Sequence, residues 1–271
     1  MPNNSRCSIG ARHAAASLAA CLLMAVFSAP ALVPLWAWQP VLSSAAQASE
    51  ISAVDETRVI VIDPGHGGHD HGVTGIDGIV EKAVMLALAR EIKDRLPSVF
   101  TVHLTRTGDY NVDLKTRTSI ANRHGADLFI SLHAGGGFKS GLDQWAVYHE
   151  RQKSASGDVS GDVSGKIPGE APGPFLWQDL QQRHIRASAA LAENIGRHLE
   201  AGAAGRPVDI IAAPLVVLSG ANMPAVVVET GYLTNPAAAR KFSQASYVRA
   251  VADDIASGIE AFFEKQGRGL K

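Results

Sequence analysis

Four side chains stand where a reaction could be run. His66 lies in Asp63-Pro64-Gly65-His66-Gly67-Gly68, directly after the β-branched run RVIVID (58–63). His133 closes the apolar stretch LFISLH, Glu229 closes AVVVE, and Glu81 opens a periodic segment just after the glycine-rich loop. Three of the four fall at the expected carboxyl ends of strands, where open α/β sheets gather their ligands. Two imidazoles and one carboxylate, with a coordination position left open, are a ligand set used by catalytic zinc. A further carboxylate nearby can act as general base toward water.

Each residue also has a plainer explanation. A histidine after glycine can simply bond the backbone, and His133 can be a satisfied core histidine. Glu81 at a helix start meets the positive end of the helix dipole. Glu229 is harder to explain in this way, because a carboxylate inside AVVVETG is costly to bury without a partner. There is no local signature such as His-Glu-x-x-His, so spacing alone does not force the four together. His69 and His71 lie further along the first loop and read as rim residues that touch substrate.

The elements that must position these residues alternate. Strands are expected at 58–63, 100–106, 126–134, 144–150, 209–218 and 224–231. Helices are expected at 81–96, 114–124 and 178–200, with a last amphipathic helix marked by Val248, Val251, Ile255, Ile259 and Phe262. This pattern predicts one α/β domain over 58–265, with a mixed, largely parallel, twisted sheet flanked by helices. SASGDVSGDVSGKIPGEAPGPF (154–175) breaks the pattern with Gly, Ser and Pro and reads as a flexible insertion.

Residues 1–48 read as a secretory signal. Arg6 and Arg12 precede an apolar run from Ala14 to Trp38, and Ala46-Gln47-Ala48 supplies a small-residue cleavage site. The run is also long enough for an uncleaved anchor, and Leu18 to Cys21 resembles a lipoprotein cleavage box. Residues 49–57 read as a linker. Both cysteines, Cys7 and Cys21, lie in the leader, so any metal in the domain must be held by His, Asp or Glu. A formal net charge of −1 provides no basic field for nucleic acid.

VIDPGHGGHDHG, EKAVMLALA, LTRTGDYNVDLKTRTSIANRHGADLFISLHA and PAVVVETGYLTNP, in that order, resemble the successive blocks of the zinc-dependent N-acetylmuramoyl-L-alanine amidases of the amidase-3 type. The resemblance spans roughly 58–264. It implies a bacterial envelope or periplasmic enzyme that cuts the amide between the lactyl group of N-acetylmuramic acid and L-alanine in peptidoglycan. It places the zinc ligands at His66, Glu81 and His133, and the catalytic carboxylate at Glu229. The sequence departs from the family at Gly135, where Asn is usual. Because some relatives carry an inserted gate, 154–175 with Phe175 and Trp177 could plug the site until an activator protein displaces it. The rival readings are another envelope zinc hydrolase or a non-catalytic peptidoglycan-binding protein.

Overall fold

The computed structural model describes residues 57–136, 142–153 and 177–268. The leader, all of the linker but Arg58's neighbour Thr57, and the 154–175 insertion with Phe175 lie outside the described residues. Along the chain run β1 (Arg58–Pro64), α1 (Glu81–Arg95), β2 (Phe100–Leu104), α2 (Leu114–Arg123), β3 (Leu128–Gly135) and β4 (Trp145–Glu150). They are followed by α3 (Ile185–Ala201), β5 (Asp209–Ala213), β6 (Ala225–Tyr232), α4 (Pro236–Phe242) and α5 (Ala245–Arg268). The strand order is β2-β1-β3-β6-β4-β5. β1, β2, β3 and β6 are mutually parallel, β4 runs antiparallel to β6, and β5 pairs parallel with β4. The sheet is therefore mixed and largely parallel, as the alternation of elements predicts.

Successive strand residues point to opposite faces, and the two faces carry cores of unequal size. Ile60, Ile62, Ile130 and Val228 pack with Leu88 and Ile92 of α1, Leu191 of α3 and Ile255 of α5. On the other face Val61, Phe129 and Val227 meet Ala121 of α2 together with Leu218 and Met223. Asp63, Ser131, His133 and Glu229 continue this second line of side chains toward the carboxyl ends of their strands. Between β3 and β6 the register sets His133 opposite Glu229.

Three local expectations differ. The strand expected at 209–218 stops at Ala213, and Val216–Leu218 is a 3-10 turn; Pro214 has no N–H to give the ladder. The helix expected from Gln178 begins only at Ile185, after a 3-10 segment Trp177–Arg183. There the buried Gln181 amide donates to the carbonyls of Ala221 and Met223, which ties the segment to the approach to β6. α4 is an addition. Asn235 caps it by accepting from Ala237 and Ala238 N–H, and Pro236 sits in its first turn, a start signal present in the sequence.

Candidate active site

β1 runs into a loop whose first carbonyls accept from buried arginines. Arg106, fully buried, donates to the carbonyls of Pro64 (3.0 Å), Gly65 (2.8 Å), Lys82 (2.7 Å) and Gly108 (3.1 Å). Arg117 donates to the carbonyl of Pro64 (3.0 Å) and to that of His66 (2.9 Å). Held in this way, His66 takes φ 61°, a left-handed conformation that costs an L-residue about 1 kcal/mol or more. The Lys82 ammonium and the Asp109 carboxylate grip the next stretch through Gly68.

Arg117 is itself anchored by Asp63. This fully buried carboxylate accepts from Arg117 Nη1 (2.7 Å), Thr105 Oγ1 (2.5 Å) and Ser131 Oγ (2.8 Å). Asp63→Ala would leave a buried guanidinium without its counter-charge. It is expected to cost about 3–5 kcal/mol of unfolding free energy, read as a lower urea midpoint. A loss under about 1 kcal/mol would show that Arg117 has another charge partner.

His133 lies over Gly65, where a Cβ would stand 2.5 Å from His133 Cε1, so only glycine leaves room for the ring. Glu81, 2% exposed at the start of α1, reaches between the two imidazoles. Its Oε1 lies 3.0 Å from His133 Nδ1 and accepts from Ala134 N–H at 3.0 Å; its Oε2 lies 3.1 Å from His66 Nε2 and accepts from Val73 N–H at 2.9 Å. Ligand atoms of His66, Glu81 and His133 all fall within 4.8 Å of one another. Burial alone would raise the Glu81 carboxyl, but the hydrogen bonds from His133 and His66 outweigh it and hold the group well below the usual carboxylate range. The hydrogen bond to Glu81 in turn raises His66. A divalent cation held by the same atoms would take the place of these hydrogen bonds. The set of two imidazole nitrogens and a carboxylate oxygen, without thiolate, suits such an ion.

Glu229 stands beside this group with opposite electrostatics. Burial pushes its carboxyl up, and the nearby Glu81 adds to the rise against the lowering influence of His133. Its Oε2 is buried and has no hydrogen-bond partner among the described residues.

The structure thus gathers His66, Glu81 and His133 and puts Glu229 next to them. His69 and His71 remain exposed on the loop, outside the cluster. Trp177 does not plug the site. Its indole lies against Gly220, where an added Cβ would stand 2.0 Å from Nε1; this is the approach to the amino end of β6, opposite the end that carries Glu229. Sequence reasoning missed Asp70, whose Oδ2 lies 2.9 Å from His66 Nδ1, the orienting carboxylate a ligating histidine commonly has. Its position four residues after His66 was a usable signal. Sequence reasoning also missed Asp63, Arg106 and Arg117, whose partners are backbone carbonyls or distant in sequence.

A family model described as N-acetylmuramoyl-L-alanine amidase matches residues 60–261. N-acetylmuramoyl-L-alanine amidase AmiA of Escherichia coli is 32% identical over 220 residues, covering 76% of this chain and 76% of that protein. Among solved structures, the catalytic domain of CwlV, an N-acetylmuramoyl-L-alanine amidase from Bacillus (Paenibacillus) polymyxa var. colistinus, superposes with TM-score 0.60 at 27% identity. The match covers 76% of this chain and 98% of that one. AmiC2 of Nostoc punctiforme gives TM-score 0.61 at 26% identity over 77% and 98%.

Proposed function

The chain belongs to the N-acetylmuramoyl-L-alanine amidase family, and from that premise we propose that it works as a zinc enzyme, with His66, Glu81 and His133 as ligands and Glu229 as the proton carrier. The reaction is hydrolysis of the amide between the lactyl group of N-acetylmuramic acid and L-alanine in peptidoglycan. The observation that carries the metal reading is the convergence of three donors of the right chemistry within 4.8 Å.

Zinc held by His66, Glu81 and His133 would supply Lewis acidity toward the lactyl carbonyl and toward water near neutral pH. Glu229 takes a proton from the attacking water and returns it to the alanine nitrogen as the C–N bond breaks. The products are a lactyl carboxylate and a free L-alanine amino terminus. Burial keeps the Glu229 carboxyl basic enough for this exchange. Asp70 fixes the ring of His66, and the Arg106–Arg117 pair fixes its backbone. Incubation of the purified protein with peptidoglycan tests the reading: new L-alanine amino termini are expected. New reducing ends without them would overturn it.

The composition of residues 1–48 supports export to the periplasm or cell envelope of a bacterium. No helix among the described residues is long and apolar enough to cross a membrane. If the 154–175 insertion gates the site for an activator protein, deleting 154–173 raises basal activity on peptidoglycan; unchanged activity marks it as a connector.

A further inference from the structure

The glycine turn that follows His66 is held from outside, by residues that are not part of the metal cluster. Gly67 N–H donates to the Asp70 carbonyl at 2.9 Å, and Asp70 N–H donates to the Gly67 carbonyl at 3.2 Å. At the tip of this turn Gly68 is gripped on both sides. Its N–H donates to Asp109 Oδ1 (2.7 Å), its carbonyl accepts from Lys82 Nζ (2.6 Å), and Lys82 pairs with Asp109 at 2.8 Å. We propose that Asp109, with Lys82, is a positioning residue for the metal centre: it fixes the turn, the turn fixes Asp70, and Asp70 fixes the ring of His66. The proposal rests on the reading of His66 as a metal ligand.

The turn has little rigidity of its own. Gly67 and Gly68 take φ of 129° and 60°, and glycine is the residue whose backbone is least restricted. Burial does not hold Asp70 either, since its side chain is about half exposed. Its carboxylate nonetheless makes two contacts that matter to the cluster. Oδ2 lies 2.9 Å from His66 Nδ1, and Oδ1 accepts from Gly72 N–H at 3.1 Å. Gly72 lies against the cluster itself, where an added Cβ would stand 2.6 Å from His66 Cδ2 and 2.5 Å from Glu81 Oε2. A shift of Asp70 therefore disturbs the ring of one ligand and the backbone pressed against two.

The support comes from a second loop, residues 107–111 after β2, which packs backbone to backbone against the glycines. An added Cβ on Gly67 would stand 2.3 Å from the Tyr110 carbonyl oxygen, and one on Gly68 2.8 Å from Asn111 N. This loop is framed in turn: the Tyr110 hydroxyl accepts from Thr107 N–H at 3.0 Å, and Arg106 donates to the Gly108 carbonyl at 3.1 Å. Lys82 follows Glu81 in the first turn of α1, so its ammonium ties the glycine turn to the helix end that supplies the carboxylate ligand. The Asp109 side chain is 60% exposed, and an exposed ion pair adds little to the stability of a fold. Its influence is therefore expected on the metal site, because a ligating histidine binds its ion less tightly once the group that orients it is displaced.

The test measures the zinc dissociation constant of the full chain by competition with a chelator, beside the melting temperature of the metal-free protein. Asp109→Ala is expected to weaken zinc binding about three- to tenfold, at or below the low end of what a lost partner of a ligand costs, with the metal-free melting temperature unchanged. Asp109→Asn keeps an oxygen for Gly68 N–H and should retain most of the affinity. In an Asp70→Ala background, Asp109→Ala should weaken zinc less than about twofold, because the residue through which it acts is gone. An equal loss in both backgrounds would overturn the proposal. So would parental affinity in Asp109→Ala, equal losses in the Ala and Asn variants, or a metal-free melting temperature that falls together with the affinity. A parent chain that binds no zinc would overturn the metal reading itself, whereas a parent that binds zinc beside unaffected variants overturns only the role of Asp109.

Discussion

Glu229→Gln is expected to lower kcat on peptidoglycan by about two to four orders of magnitude, the range of a lost general acid–base group. Metal content should be unchanged. The amide keeps the size and burial of the carboxyl but can neither take the proton of water nor return one to the alanine nitrogen. The Oε2 has no partner among the described residues, and the amide oxygen that remains can keep the hydrogen bond that the side chain accepts from Gly135 N–H. The substitution also removes a carboxylate that burial and Glu81 make costly to ionise, and the melting temperature should hold or rise. Elemental analysis and thermal melting beside kinetics separate the outcomes. Near-parental turnover would remove Glu229 from its role, whereas zinc loss would make it part of the metal site.

Chelation is expected to abolish activity and to destabilise the protein by about 4 kcal/mol, when compared with free zinc a thousandfold above its dissociation constant. The effect has a pH signature. Without metal, the hydrogen bond to Glu81 raises His66 above 6.5. The stability this contributes is full below the unfolded value and disappears as pH rises through the folded one. Zinc needs the neutral imidazole, so its contribution grows with pH. The gap in melting temperature between loaded and chelated protein should therefore widen from about pH 6 to about pH 8. A gap that narrows would show that protons do not compete for this site. His133→Ala should remove most of the gap at any pH.

Much of this was legible before the fold was known. The four residues named from strand ends and a helix start are the ones brought side by side, because a parallel sheet delivers its carboxyl ends to one edge. What was not legible is the scaffold beneath them. Arg106 makes its hydrogen bonds to main-chain carbonyls, and a carbonyl has no letter in a sequence. The positive φ of His66 is likewise invisible, since left-handed backbone is read from glycine and this residue is not one. Asp70 and the Asn235-Pro236 start of α4 were readable by spacing and capping rules. Pro214 in the expected fifth stretch of strand was readable too, as a ladder breaker.

The pairing of His133 with Glu229 across β3 and β6 has an evolutionary corollary. Both residues depend on strand parity as well as on identity. Removing one residue between Ala225 and Val228 would turn the carboxylate from the α2 side of the sheet to the side packed by α1, α3 and α5. Such a deletion would silence the enzyme even in a chain that still folds, and no substitution elsewhere in β6 would restore the carboxylate to its face. Point substitutions in this segment can be graded in their effect; changes in its length cannot. Among natural variants, the spacing from Pro224 to Glu229 should therefore stay constant wherever activity is kept.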